Sequence, residues 1–204
     1  MLPAWFIVFS IVIRLGSGGR YIWGFLNGKA RPNPVTWFLW SVTAIIAFIA
    51  QVYEGVGIQS VATLALGIGP FVVFVLAVKK SGLWIHFTPL TVFCTILAVL
   101  GIVLWRVTNN AELAVAFSIF ADTFAGLPTL VKAYRDPSSE YALPYFLSII
   151  SMAIVLLTLT NWSFVASGYI VYMLITNIFL FTVAAVPLRQ WLRGAKRRLA
   201  LELP

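Results

Sequence analysis

The chain reads as an all-α membrane protein of seven spanning helices, and three observations carry that reading. Hydrophobic residues fill 61% of its 204 positions and charged residues only 10%, against roughly 45–50% and 25% in soluble domains. The mean hydropathy is +0.98. The apolar residues fall into segments at 4–27, 34–53, 57–78, 83–106, 112–134, 143–161 and 165–188, each near the ~20 residues that cross a bilayer as helix. The intervals between them are too short for a soluble domain.

The first segment opens with Met-Leu-Pro-Ala-Trp-Phe-Ile-Val. It has no basic n-region and is read as a span rather than a cleaved signal. Arg14 falls near its middle, with Gly19-Arg20 beyond. The second segment starts at Asn33-Pro34, an N-cap followed by a proline suited to the first helical position. Trp37 and Trp40 lie one turn apart within it. Trp40 is assigned to a cavity, and Trp37 to the interfacial belt with Trp5, Trp23, Trp84, Trp105, Trp162 and Trp191. Gly67-Ile68-Gly69-Pro70 in the third segment predicts close helix packing.

The fourth segment begins near His86, the only histidine, and contains Cys94, the only cysteine. Neither a metal site nor an internal disulfide follows from single residues of these types. The fifth carries Asp122 and, within an apolar run, Pro128. A proline there removes a backbone donor and lets the helix bend. The charged stretch Lys132 to Glu140 follows, with a second cap-and-proline pair at Asp136-Pro137. Pro144 opens the sixth segment, and Asn177 lies within the seventh.

Charge sets the expected orientation. Arg20, Lys29, Arg31, Lys79, Lys80, Lys132, Arg135, Arg189, Arg193, Lys196, Arg197 and Arg198 fall on one side, and Arg106 alone on the other. The positive-inside rule then places the N-terminus outside and the C-terminus in the cytoplasm. The net charge of +8 is read as orientation and attraction to a membrane surface, not to nucleic acid. The basic tail suits an anionic lipid headgroup or a partner, but a stop-transfer cluster is the far commoner meaning of such a run.

Shifting the chain on itself by 109 to 110 residues lays Phe25–Ala47 beside Tyr134–Leu156 and Pro34 against Pro144. The organisation read from this is a three-helix repeat at 1–80, a linker helix at 81–108, a second, parallel repeat at 109–190 and a tail at 191–204. Arg14 and Asp122 stand at matched depth in the first and fifth spans. Mid-span charges are costly against lipid, so both should face inward, either as a bracing ion pair or as part of a transport site.

The stretch Pro128-Thr129-Leu130-Val131-Lys132-Ala133-Tyr134-Arg135-Asp136-Pro137-Ser138-Ser139-Glu140 resembles the signature of the PQ-loop superfamily, which includes SWEET and cystinosin-like proteins. That signature runs Pro-Gln, a basic residue near the helix end, then Ser-Ser-Glu. Here Thr129 stands for the glutamine, and Gly19-Arg20 stands where the first repeat would begin its motif. The resemblance implies a 3+1+3 fold and facilitative, alternating-access movement of a small polar solute, sugar or sugar-like. It implies gate hinges at Gly19, Pro34, Pro128 and Pro144, and a substrate contact at Asn177. The residues add Trp40, Asp122 and Arg14 to the expected site. Ser60 and Thr63 are the polar residues of the corresponding first-half helix. The competing reading is a receptor or sorting protein on the same fold. Glu54 and Glu112 are placed in outer loops and not as a pair. No nucleophile and base can be aligned, so no enzyme, metal or cofactor is expected.

Overall fold

A computed structural model describes residues 2–81 and 110–185, with isolated positions between 89 and 108. The expected linker helix at 81–108, with Trp84, His86, Cys94, Trp105 and Arg106, therefore lies largely outside the described residues. So do the side chain of Pro128, Trp191 and the tail.

Among the described residues the regular elements are all helical: α1 Phe6–Leu26, α2 Pro34–Tyr53, α3 Gln59–Ser81, α4 Ala111–Arg135, α5 Ala142–Thr158 and α6 Phe164–Ala184, with a 3-10 turn at Pro137–Ser139 before α5. Five of the six are long and apolar enough to cross a bilayer, and α5 is a shorter apolar helix. At 1.5 Å per residue, the 20 to 25 residues of the long helices give roughly 30–37 Å, the thickness of the hydrocarbon core or slightly more.

The helix ends follow local chemistry. The Asn33 side chain accepts from Val35 N–H ahead of Pro34. Asp136 does the same for Ser138 ahead of Pro137, so both expected cap-and-proline pairs form. Asn110 caps α4 through Glu112 N–H. α1 ends at Gly28, whose φ of +73° permits the Schellman pair Gly28 N to Phe25 O and Lys29 N to Gly24 O.

α3 lies between α1 and α2, and α6 lies between α5 and α4; among the described residues the backbones of neither outer pair come close, although the Tyr21 and Trp37 rings meet across α1 and α2. The two groups meet crosswise, α1 on α5 and α2 on α4. Exchanging α1–α3 for α4–α6 leaves this set of helix neighbours unchanged.

Each seam has its own chemistry. Along α1 and α5, serines bridge the backbones: Ser17 Oγ donates to Pro144 O (2.7 Å) and Ser151 Oγ to Ser10 O (2.8 Å). Buried hydrogen bonds between spanning helices contribute on average ~0.6 kcal/mol each. Along α2 and α4, alanines dominate, with Ala44, Ala47 and Ala50 sharing a core with Ala114 and Ala121. Thr36 Oγ1 also donates to Ala125 O (2.9 Å) there. Gly67 brings α3 onto α2: a Cβ at that position would stand 3.2 Å from Ser41 O. Packing is thus the role of Gly67, as its sequence context predicts. Large apolar side chains such as Val12, Ile49, Ile68 and Ile175 point outward, where lipid would cover them.

Candidate functional site

A narrow cavity of about 50 Å³ lies at the waist of the bundle, between residues of both groups. α1 contributes Arg14, Ser17, Gly18 and Tyr21, α2 contributes Trp37 and Trp40, and α3 contributes Leu66, Gly69 and Pro70. From the other group come Pro144, Tyr145 and Ser148 of α5, and Met173, Thr176, Asn177 and Leu180 of α6. No acidic residue is among them.

Arg14 Nη1 donates to Ser148 Oγ at 2.6 Å, and Ser148 in turn bonds Ser17 (2.8 Å) and Pro144 O (2.9 Å). The Trp37 and Trp40 rings meet edge to face, 5.4 Å between centroids. Their indole N–H groups are buried without a hydrogen-bond partner. Asn177 Nδ2 donates to Met173 O of its own helix at 2.8 Å. Trp40, Arg14 and Asn177 thus meet at one cavity.

Asp122 does not line that cavity. It is fully buried, and its carboxylate accepts from Thr43 Oγ1 (2.5 Å), Tyr169 OH (3.0 Å) and Tyr172 OH (2.8 Å). The expected Arg14–Asp122 ion pair is absent: each group bonds hydroxyl partners instead. Tyr169 and Tyr172, three residues apart on α6, present both phenols to α4. That i, i+3 spacing was the signal in the sequence that could have found them.

The gate residues divide. Pro34 and its capping Asn33 start α2. Pro144 sits in the first turn of α5, lines the cavity and offers its carbonyl to two serines. The backbone at Pro128 is helical within α4. Gly19 is exposed with nothing near it, whereas Gly18 faces the cavity and would place a Cβ 3.9 Å from Gly69 Cα. The glycine at the α1–α3 approach is thus Gly18, beside the expected hinge Gly19. Trp37, only 6% exposed, belongs to the cavity and not to the interfacial belt. Ser60 and Thr63 stay off the cavity. Ser60 bonds Gly57 O of its own turn.

The two ends of the bundle differ. At one, a polar vestibule of about 670 Å³ opens among the α2–α3 loop, the start of α4 and the α5–α6 loop. Glu54 and Glu112 both line it, with Gln59, Asn110 and Asn161. The two acids thus share one space, because α2 ends where α4 begins.

At the other end, Glu140 is buried and closes the bundle. Its Oε1 lies 2.7 Å from Lys132 Nζ, and its Oε2 accepts from Tyr145 OH (2.7 Å) and Tyr21 OH (3.1 Å). Lys132 also donates to Arg31 O at 2.6 Å. The Tyr21 ring packs on Trp37 at 4.4 Å. Glu140 therefore ties α1, α4 and α5 together just beyond the cavity. Thr129, at the place of the signature's glutamine, buries its hydroxyl without a partner.

No family model matches the chain, and neither a curated protein nor a solved structure matches it.

Proposed function

We propose that this membrane protein moves a small polar solute by alternating access through the waist cavity, as two parallel three-helix repeats joined by a linker helix. The observation that carries the reading is the cavity itself. It is lined by both helix groups, lies between an open polar vestibule and an end closed by Glu140, and has Arg14, Trp40 and Asn177 on its wall. Sites at the midplane between repeats are the usual plan of such carriers. In this state the cavity is narrow, so solute entry requires the groups to part on the vestibule side and release requires the Lys132–Glu140 contact to open. Pro34, Pro128, Pro144 and the Gly18–Gly19 pair are the positions where helices can bend. The basic end faces the cytoplasm, as the Lys and Arg distribution demands, and the C-terminal tail meets anionic lipid there. The resemblance to PQ-loop carriers makes sugar-like compounds the first to test, and movement needs no nucleotide.

Thermal shift of the purified chain in detergent, against sugars, amino acids and vitamin precursors, followed by uptake of the stabilising compounds into liposomes, tests the proposal. Saturable uptake supports it. A second reading, a receptor or sorting protein on the same fold, is favoured by the acidic vestibule open to one end only. Binding without flux would select it.

A further inference from the structure

Arg14 carries the one formal charge on the cavity wall. Among the described residues its only hydrogen bond goes to Ser148, itself already bonded to Ser17 and Pro144 O. A guanidinium has five N–H donors in a planar fork, so most of them are uncommitted. Arg14 is half-buried, and a cation drawn out of water without a counter-ion is unfavourable unless something of opposite charge meets it. The mid-span acid, Asp122, is committed to three hydroxyls and does not line the cavity.

A second observation points the same way. The Trp37 and Trp40 rings line this cavity, each more than nine-tenths buried, and the Nε1 edge of Trp40 turns to Gly126 of α4, outside it. The wall therefore offers a cation beside flat aromatic surface, with no acid. A cationic solute would find no partner, and a neutral sugar would leave the arginine uncompensated.

We infer that the solute is a small carboxylate. Its two oxygens take the free edge of the Arg14 fork, an arrangement that suits planar bidentate pairing. The Trp37–Trp40 wall covers the carbon skeleton of the solute. This inference rests on the proposed solute cavity and names the class of compound that enters it.

The test uses the full chain in detergent at fixed ionic strength, adjusted with sodium chloride. Lactate and gluconate are compared with propane-1,2-diol and glucose, their neutral counterparts, by thermal shift and by titration of tryptophan fluorescence. At least one carboxylate should raise Tm and its neutral counterpart should not. Arg14→Gln should weaken carboxylate binding by about 10-fold or more, the scale of one charge-assisted hydrogen bond. Arg14→Lys should retain part of the affinity. Trp40→Phe, which keeps an aromatic ring on the wall, should lose less than Arg14→Gln.

Equal or greater stabilisation by the neutral compounds, no response to either carboxylate, or undiminished binding by a folded Arg14→Gln chain would each overturn the inference. If neutral solutes alone bind and cross liposome membranes, the transport reading stands and the carboxylate falls. If carboxylates bind through Arg14 and none crosses, the carboxylate stands and transport gives way to a receptor.

Discussion

The two ends of the bundle hold acids in opposite circumstances. In the vestibule, Glu54 and Glu112 line a wide opening with no Lys or Arg among the lining residues. At the basic end, Glu140 is 5% exposed and has Lys132 and two phenols within hydrogen-bonding distance. A carboxylate at a helix end opens or closes a bundle according to the cation in reach. Without one it stays hydrated and holds water at the mouth; with one it can be drawn into the protein and pull three helices together.

The largest effect should come from breaking the closed end. Glu140→Ala removes the ion pair and leaves Tyr21 and Tyr145 without their acceptor. A fully buried pair so broken costs roughly 3–5 kcal/mol. Lys132 is 32% exposed and can rehydrate, which reduces the expected loss to about 2–3 kcal/mol in chemical unfolding. In a Cys94→Ser background, a cysteine at Tyr21 should also become reactive to a polar maleimide once Glu140 is replaced. An unchanged reactivity would show that Glu140 does not seal this end.

Asp122→Ala should follow, at roughly 2 kcal/mol, because the buried Thr43 and Tyr169 hydroxyls and the half-buried Tyr172 lose an acceptor whose interhelical bonds are worth ~0.6–1.7 kcal/mol each. Asp122→Asn, which keeps an acceptor oxygen, should cost about half as much by the same measurement. If Asp122→Ala were as stable as the parent, the hydroxyl cradle would contribute nothing to packing.

The vestibule should tolerate the same chemistry. Glu54→Gln with Glu112→Gln should alter stability by no more than about 0.5 kcal/mol, read by the same unfolding curves. A loss comparable to that of Glu140→Ala would erase the contrast between the ends. Smallest is the coupling between the two mid-span charges. Arg14→Gln and Asp122→Asn should be additive within about 0.5 kcal/mol in a double-mutant cycle, since they share no partner. A coupling above 1 kcal/mol would restore the ion pair that the geometry denies.

Much of this architecture was readable from the residues. Apolar runs near 20 residues located the helices to within a few positions at most ends, because lipid demands continuous backbone hydrogen bonding over a fixed thickness. Asn33 and Asp136 were legible as caps because capping is local. Trp40, Arg14 and Asn177 were legible as inward-facing because polar groups in spans avoid lipid. The partners were not legible. Nothing local says that Arg14 meets Ser148, 134 positions away, or that Asp122 meets phenols of α6. Matched depth suggested a pair, but depth is one coordinate of three. Gly18 against Gly19 is a question of rotation by 100° about α1, which an isolated glycine pair cannot answer. Glu140 looked like part of a charged turn, and only the fold shows it drawn inside.

The central claim is that the cavity carries a solute across the membrane. Its most direct test is uptake into sealed liposomes containing the purified chain, using the compounds that raise its Tm, with Ser148→Trp as the blocked control, since that side chain would fill the ≈ 50 Å³ beside Arg14. The account predicts saturable uptake above protein-free liposomes that the folded Ser148→Trp chain loses. Binding that saturates while accumulation stays at the protein-free level would contradict it.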